Sequence, residues 1–312
     1  MEQLVMSSGP HIHSGAQDRR IMLDVILALL PASVAGVLIF GIKALWVLLT
    51  CVLSAVIAEF LFNLIARKKQ SVGDLSALVT GLLLGLNLSV NVPLWQCALG
   101  SVFAIVLVKC AFGGIGRNFA NPAIAGRVFL LLAFSGTVAG GAAPAPLFGA
   151  AADAVSSATP LELLAKGAEG VPSLGDLFLG VYGGAIGETC SLALLLGFAY
   201  LLLRKVISWQ TPVIFTAVVF LCYLISDGAQ IALCEVLTGG LLLGAVFMAT
   251  DYTSTPINAR GRLLFALGCG LITFVIRKFF GYPEGVSFSI LLMNLLTPYL
   301  EELTRIKPLG GV

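Results

Sequence analysis

Charge is scarce in this sequence. Only 11% of its 312 residues are Asp, Glu, Lys or Arg, whereas 58% are hydrophobic. A soluble domain carries about 25% charged residues, so the surface of this chain cannot all face water. The formal net charge of +2 gives no reason to expect a nucleic acid as a partner. Only two histidines occur, His11 and His13, both near the N-terminus, so we expect no buried histidine metal site.

Paired cysteine motifs are also lacking. The seven cysteines contain no C-x-x-C pair, and each lies in an apolar segment. Small apolar packing residues are therefore their expected role. A cysteine could instead ligate a cluster shared with a neighbouring subunit, although the spacing does not support that alternative. The residues are Cys51, Cys97, Cys110, Cys190, Cys222, Cys234 and Cys269.

Apolar runs of about 20 residues recur along the whole chain, which is the length of a helix that crosses a bilayer. We predict an all-α polytopic membrane protein with ten transmembrane helices. The third, fifth and seventh predicted spans are short or interrupted by Gly and Pro, as expected of half-helices that end inside a membrane. The predicted spans are 22–41, 44–66, 75–91, 93–112, 119–135, 177–203, 211–227, 231–250, 261–280 and 286–304.

The Lys and Arg residues favour one side of this predicted topology. Twelve lie in segments that would be cytoplasmic and four in segments that would be outside, leaving aside Lys109 and Arg127 within spans. Because positive charge accumulates on the cytoplasmic side, we predict a bacterial inner-membrane protein with both termini in the cytoplasm. The predicted units are a cytoplasmic tail at 1–21, a membrane unit at 22–135, an outside loop at 136–176, a second membrane unit at 177–304 and a cytoplasmic tail at 305–312.

Similar short segments in the two halves of the sequence indicate an internal duplication. Thr80-Gly81-Leu82-Leu83-Leu84-Gly85 is similar to the segment from Thr238 to Gly244, five predicted spans later. Asn121-Pro122 before the fifth span has a counterpart in Tyr282-Pro283 before the tenth. An offset of five spans reverses the orientation, so we predict two inverted five-helix repeats with a site where they meet. A secondary transporter, a channel subunit or a structural scaffold would also fit this architecture.

The longest predicted connection, 136–176, is poor in positive charge, and so long a connection is usually functional. It contains Asp153-Ala154-Val155-Ser156-Ser157-Ala158-Thr159. The following residues form a capping box, with Thr159 at the N-cap, Pro160 at the first helical position and Glu162 at the third. Helix capping alone would account for Thr159. A phosphate ester on Thr159 would suit the same position, because a helix N-terminus attracts negative charge.

Three acidic residues fall in predicted spans: Glu59 in the second, Glu188 in the sixth and Glu235 near the start of the eighth. An acid at the centre of a transmembrane helix costs about 2.5–3.5 kcal/mol, so each should face a cavity, pair with a base or be protonated. Glu188 is flanked by Gly183-Gly184 and Gly187, which would allow a ligand or another backbone to approach. A part in an ion path and a structural role both remain open for these acids.

Two further features fall near the fifth predicted span. Gly113-Gly114-Ile115-Gly116-Arg117-Asn118 superficially matches a phosphate-binding glycine loop, but it follows a predicted membrane span and not a strand. We therefore interpret this segment as a tight turn. Arg127 lies inside the fifth predicted span, where a charge is costly, so it should find an acid or a ligand phosphate.

The segment D-A-V-S-S-A-T resembles the flavinylation motif of the RnfD and NqrB family, in which the last Thr carries FMN through a phosphoester. Ser157 stands where the family usually has Gly. The compact length is similar to that of RnfD, whereas NqrB is longer. Further blocks extend the resemblance over nearly the whole chain: Ser8–Ile12, Met22–Val25, Gly113–Ala123, Gly187–Thr189 and Ala249–Tyr252.

The resemblance implies the flavin-carrying membrane component of an Rnf-type ferredoxin:NAD⁺ oxidoreductase, which couples electron transfer to Na⁺ or H⁺ movement. It implies a covalent FMN on Thr159, in a motif completed by Asp153, Ser156, Ser157 and Ala158. A second, non-covalent flavin remains open. The expected partners are the A, B, C, E and G subunits of Rnf and a flavin transferase. We expect no catalytic residue and no activity from this chain alone, since it shows no motif for NAD or ferredoxin.

Overall fold

The computed structural model describes residues 18–145, 156–157, 159–165, 172–280 and 284–305, with the backbone alone at Ser156, Ser157 and Ala165. These residues are mostly helical. The first helices are α1 (Asp18–Phe40), α2 (Ile42–Ile65), α3 (Ser76–Leu86), α4 (Leu94–Phe103), α5 (Pro122–Ala133), α6 (Ser135–Val138) and α7 (Pro160–Ala165). The later ones are α8 (Leu174–Leu179), α9 (Ser191–Leu203), α10 (Gln210–Asp227), α11 (Ala229–Leu237), α12 (Leu241–Leu243), α13 (Ala259–Phe279) and α14 (Gly285–Leu303).

Shorter elements complete the described chain. A 3₁₀ turn covers Val72–Asp74. Wide π-helical turns extend α4 over Ala104–Cys110 and α12 over Gly244–Met248. The strands β1 (Gly141–Ala142) and β2 (Ser156–Ser157) form an antiparallel pair, a small exception to the predicted all-α fold.

Within the described residues, four helices are long and apolar enough to cross a membrane: α1, α2, α10 and α13. A fifth crossing results if α11 and the segment Leu241–Met248, which meet at a bend of 61°, count as one span. Shorter apolar helices occupy other predicted spans, namely α3, α4 with its π extension, α5 and α9. The helical, multi-pass class is confirmed, while the count of ten and the inverted repeats stay predictions.

The predicted sixth span, 177–203, is wrong as a single helix. α8 ends at Gly180, whose φ is 94°, and helix resumes only at α9. The connection is apolar because it is buried in the protein: a Cβ on Gly187 would lie 2.6 Å from Leu86 Cβ. Glu188 therefore lies in a buried loop and not in a membrane helix.

The eighth predicted span is broken, whereas we expected short or interrupted spans at the third, fifth and seventh. α10 is continuous, because Pro212 falls in its first turn, where no backbone donor is needed. The eighth predicted span breaks between α11 and α12, where Gly239 has φ 67° and Gly240 has φ 68°. These left-handed conformations favour glycine, so the glycine pair sets the position of the break.

The helices form two similar sets of contacts. α2 packs against α3 and α4, and α10 packs against α11 and α13. The N-terminal and C-terminal halves of the chain meet where α1 packs on α9 and where α5 packs on α14. Most of α3 and all of Leu241–Met248 are buried, so these two segments form the centre of the molecule.

A polar contact joins the two sets. Asn121 begins α5 by accepting hydrogen bonds from the Ala123 and Ile124 N–H groups at 3.0 and 3.4 Å. Its Nδ2 donates to the Met248 carbonyl at 3.2 Å, where the buried segment after α12 ends. The glycine-rich segment just before Asn121 forms a turn, as predicted, with positive φ at Gly113, Gly114 and Gly116.

Candidate functional site

Thr159 is the N-cap of α7. The Glu162 N–H donates to Thr159 Oγ1 at 3.3 Å, and the Leu163 N–H donates to the Thr159 carbonyl at 3.1 Å. Pro160 and Glu162 occupy the first and third helical positions, so the predicted helix start is confirmed. The Thr159 side chain is half-buried, and its hydroxyl oxygen accepts one long hydrogen bond.

The segment before Thr159 is held by strand pairing. Gly141 pairs with Ser157 and Ala142 with Ser156. On its other side Ala142 exchanges backbone hydrogen bonds with Gly184, at 3.3 and 3.2 Å. The segment that carries the motif is thereby fixed against the loop that contains Glu188.

α7 rests on the break between α11 and α12. Leu161 is buried, and a Cβ on Gly239 would lie 2.0 Å from Leu161 Cδ1. Leu164 packs against a small cluster formed by Leu177, Tyr182 and Cys234. The helix that begins at Thr159 is therefore docked through its apolar side on the bent span.

The Arg277 side chain caps the C-terminal end of α11, next to the contact between Leu161 and Gly239. Its guanidinium pairs with Glu235 Oε2 at 3.0 Å and donates to the Glu235 carbonyl at 2.8 Å. It also donates to the carbonyls of Thr238 at 3.3 Å and Gly239 at 3.0 Å. These carbonyls lose their helical partners at the break, and the guanidinium replaces them. We counted Arg277 among the residues of outside segments, but its side chain is buried in the protein.

Glu188 lies beside the same break. Its Oε1 accepts a hydrogen bond from the Ala185 N–H at 2.9 Å. A Cβ on Gly184 would lie 3.1 Å from Oε1, and one on Gly240 would lie 3.0 Å from Oε2. Tyr182 donates to the Glu188 carbonyl at 3.2 Å, so the backbone is fixed as well.

Arg127 pairs with an acid, as its position inside the fifth predicted span requires. Its Nη2 contacts Glu284 Oε2, at the start of α14. Arg127 Nε and Nη1 are buried without a hydrogen-bond partner. A small cavity of about 10 Å³ lies beside them, lined also by Asn87, Gly240 and Glu284.

Glu59 is paired on another side of the core. Lys109 Nζ lies 2.8 Å from Glu59 Oε1, which also accepts a hydrogen bond from Ser71 Oγ at 2.6 Å. Lys109 donates in addition to Ser76 at the start of α3. The Glu59 side chain is only 1% exposed, so this acid pairs with a base, one of the outcomes expected of it.

A larger cavity of about 270 Å³ opens near the start of α1. Its walls are mainly apolar, and Asn118 and Asp251 are among its polar groups. Burial raises the pKa of the Asp251 carboxyl, while hydrogen bonds from Ser254 and Thr253 act in the opposite direction. The volume lies just below the range of about 300–1,000 Å³ for small-molecule pockets.

The model of the NQR2, RnfD, RnfE family matches residues 5–310 of the chain. The chain belongs to this family. A relative from Acetobacterium woodii, named as the D subunit of a Na(+)-translocating ferredoxin:NAD(+) oxidoreductase complex, is 46% identical over 305 residues, which cover 97% of this chain and 94% of the relative. The resemblance of the sequence motifs to RnfD is confirmed.

Two further NQR2, RnfD, RnfE relatives carry similar names. The D subunit of a proton-translocating ferredoxin:NAD(+) oxidoreductase complex from Clostridium ljungdahlii is 39% identical over 314 residues, covering 96% of this chain and 94% of the relative. The D subunit of an ion-translocating oxidoreductase complex from Escherichia coli is 34% identical over 348 residues, covering 98% of each chain. The named ion thus differs among the relatives.

The residues that the family resemblance assigned to flavin binding are described in part. Thr159 is placed with its side chain, and Ser156 and Ser157 with their backbone. Asp153 and Ala158 lie outside the described residues. The Arg277 cap and the Arg127–Glu284 pair beside this site had no counterpart in our sequence analysis, apart from the expectation that Arg127 needs a partner.

Proposed function

We propose that the chain is the D subunit of an Rnf-type ferredoxin:NAD⁺ oxidoreductase and carries FMN as a phosphoester on Thr159. The observation that carries this proposal is the position of Thr159. The last residue of the family-like motif D-A-V-S-S-A-T is also the N-cap of α7, and its side chain is only half-buried. Membership of the NQR2, RnfD, RnfE family and relatives named as D subunits support it.

The residues of this region fit a phosphate ester. The first N–H groups of a helix have no helical partner, so they and the helix dipole favour a negative group on the N-cap. Leu161 and the paired strands hold the attachment point in one place. Bound FMN would supply the redox chemistry, while the chain positions it and keeps it at the edge of the helical core.

A second, non-covalent flavin is part of the proposal. The cavity of about 270 Å³ near the start of α1 would hold it. Its apolar walls suit an aromatic ring system, and Asn118 and Thr80 could hydrogen-bond to polar edges of such a ring. Asp251 would lie at the same wall.

We also propose ten membrane crossings in two inverted repeats. The similar packing of α2 with α3 and α4, and of α10 with α11 and α13, supports such a duplication. The start of α1 and the end of α14 lie near the same segment, since Asp18 lines a cavity with Thr253 and Asn258 donates to the Thr304 carbonyl. We place this side in the cytoplasm because of the Lys and Arg distribution.

The proposed partners are the A, B, C, E and G subunits of Rnf, since we expect no catalytic residue in this chain. A flavin transferase that acts on Thr159 is a further proposed partner. A secondary transporter would share the broken helices and buried acids, but it has no need for the motif at Thr159. Intact mass tests the two functions. Production with the transferase should add one FMN less one water to the chain, and an unchanged mass would support the transporter.

A further inference from the structure

Glu188 differs from the other most deeply buried charged side chains in the described residues. Each of the others has an ion-pair partner within 4 Å, whereas Glu188 has none. The pairs are Asp24–Arg204, Glu59–Lys109, Glu235–Arg277 and Arg127–Glu284. Asp251 is partly exposed and accepts hydrogen bonds from Thr253 and Ser254. Glu188 is 8% exposed, so water compensates for the missing partner only in part.

The charges around Glu188 do not balance. Arg127 on α5 and Arg277 on α13 are already paired with Glu284 and Glu235. Glu188 and Glu284 lie close enough to interact electrostatically. Three carboxylates therefore face two guanidinium groups, which leaves one negative charge when all are ionised. A buried negative charge without a partner is strongly unfavourable. A bound cation beside these three carboxylates and two guanidinium groups would balance it.

A second observation shows where an additional ligand would fit. Arg127 is 3% exposed, yet its Nε and Nη1 have no hydrogen-bond acceptor. The cavity of about 10 Å³ beside them has the size of about one water molecule. Gly240 lines this cavity together with Asn87, and a Cβ on Gly240 would lie 3.0 Å from Glu188 Oε2 and 4.0 Å from Asn87 Oδ1.

We propose that Glu188 binds one monovalent cation, a proton or a sodium ion, where the two sets of helices meet. A water in the cavity would accept hydrogen bonds from the two free N–H groups of Arg127, which uses both of its lone pairs, so this water would satisfy Arg127 and would not itself coordinate the cation. Asn87 Oδ1 would provide a neutral oxygen on the same side. Gly184 and Gly240 leave room for the cation, because a side chain at either position would crowd the carboxylate.

This site is connected to the motif that ends at Thr159. Ala185, which donates its N–H to Glu188 Oε1, follows Gly184. Gly184 is hydrogen-bonded to Ala142, which pairs with Ser156. A change at the attachment point can therefore reach the carboxylate through three adjacent backbone segments. Cation binding itself needs no flavin, but its assignment as the transported ion rests on the proposed function.

Difference infrared spectroscopy of the full chain in lipid tests the site. The film is perfused with steps of pH, or with NaCl exchanged against choline chloride at constant pH. A proton gives a band of a neutral carboxylic acid that follows pH and not NaCl. A sodium ion gives a saturable shift of the carboxylate bands with NaCl. Either signal should be lost in Glu188→Gln and kept in Glu302→Gln, which removes an exposed carboxylate of α14.

A wild-type film with neither signal, or a signal that persists in Glu188→Gln, would overturn the proposal. If Glu188→Gln does not fold, Glu188→Asp keeps the carboxylate but moves it by one methylene. Its half-saturation point should then shift several-fold, and an unchanged value would count against the site. The same measurement on Thr159→Ala separates the two proposals, because the cation signal should survive without covalent flavin.

Discussion

Leu161 packs so closely on Gly239 that a Cβ there would lie 2.0 Å from Leu161 Cδ1. Gly239 also has φ 67°, which residues with a side chain rarely adopt. We expect Gly239→Ala to displace α7 and to destabilise the protein by about 1–3 kcal/mol through overpacking. Trypsin cleavage at Lys166, the residue after α7, should become faster, as measured by mass spectrometry of the peptides.

Gly73→Ala is the matched control, since no atom lies within 4 Å of the Cβ position at Gly73. Leu161→Ala should also accelerate cleavage at Lys166 without straining the backbone at Gly239. Equal cleavage rates in Gly239→Ala and wild type would show that α7 does not depend on this contact.

Thr159→Ala should abolish covalent flavin fluorescence on a denaturing gel, because the phosphoester needs a hydroxyl. Thr159→Ser keeps a hydroxyl and the cap, so it should retain part of the signal. Loss of an N-cap costs about 0.5–2 kcal/mol, too little to unfold a protein of this size. The amount of folded chain should therefore stay the same in all three proteins. Persistent fluorescence in Thr159→Ala would reject the attachment site.

Arg277→Met should lower the stability of the protein by about 3–5 kcal/mol, because it leaves the Glu235 carboxylate buried without a partner. Thermal unfolding in detergent measures the effect. The double variant Glu235→Gln with Arg277→Met should be more stable than Arg277→Met alone, since no buried charge remains. Lys278→Met is the control: its pair with Asp227 is partly exposed and should contribute only about 0–1 kcal/mol.

Single-cysteine reporters should place Ala143 outside and Gly310 in the cytoplasm. The expectation follows from the excess of Lys and Arg in the segments assigned to the cytoplasm. A membrane-impermeant thiol reagent applied to intact cells should label position 143 alone. Labelling of both positions, or of neither before the cells are opened, would contradict the predicted topology.

The inverted repeat makes a separate prediction. The turn between α2 and α3 and the turn between α10 and α11 are equivalent positions in the two proposed halves. Cysteine reporters at Lys69 and Gln230, both exposed, should therefore report opposite sides of the membrane. Reporters on the same side would show that the halves are not inverted, whatever the side of Ala143.

Local features of this fold were predictable from sequence. The N-cap at Thr159 was recognisable because it involves residues within a few positions along the chain. Most long helices were recognisable from their apolar length. The loop around Glu188 was not recognisable. An apolar sequence indicates that a segment is buried, but it does not distinguish a buried loop from a helix.

The ion pairs depend on tertiary structure. Lys109 and Glu59 are 50 residues apart in sequence, Arg277 and Glu235 are 42 apart, and Arg127 and Glu284 are 157 apart. Residue types alone indicate that each buried charge needs a partner, but not which one. The fact that Glu188 has no such partner could therefore be recognised only after the others had been matched.

The π-helical turn at Ala104–Cys110 has a consequence for Lys109. A wide turn accommodates one residue more than an α-helix would, and each residue rotates an α-helix by about 100°. If the same residues wound as a regular α-helix, each would turn by about 100° and position 109 would rotate away from Glu59. The Lys109–Glu59 contact is thus specified by the winding of the segment between α4 and Cys110 as well as by its composition.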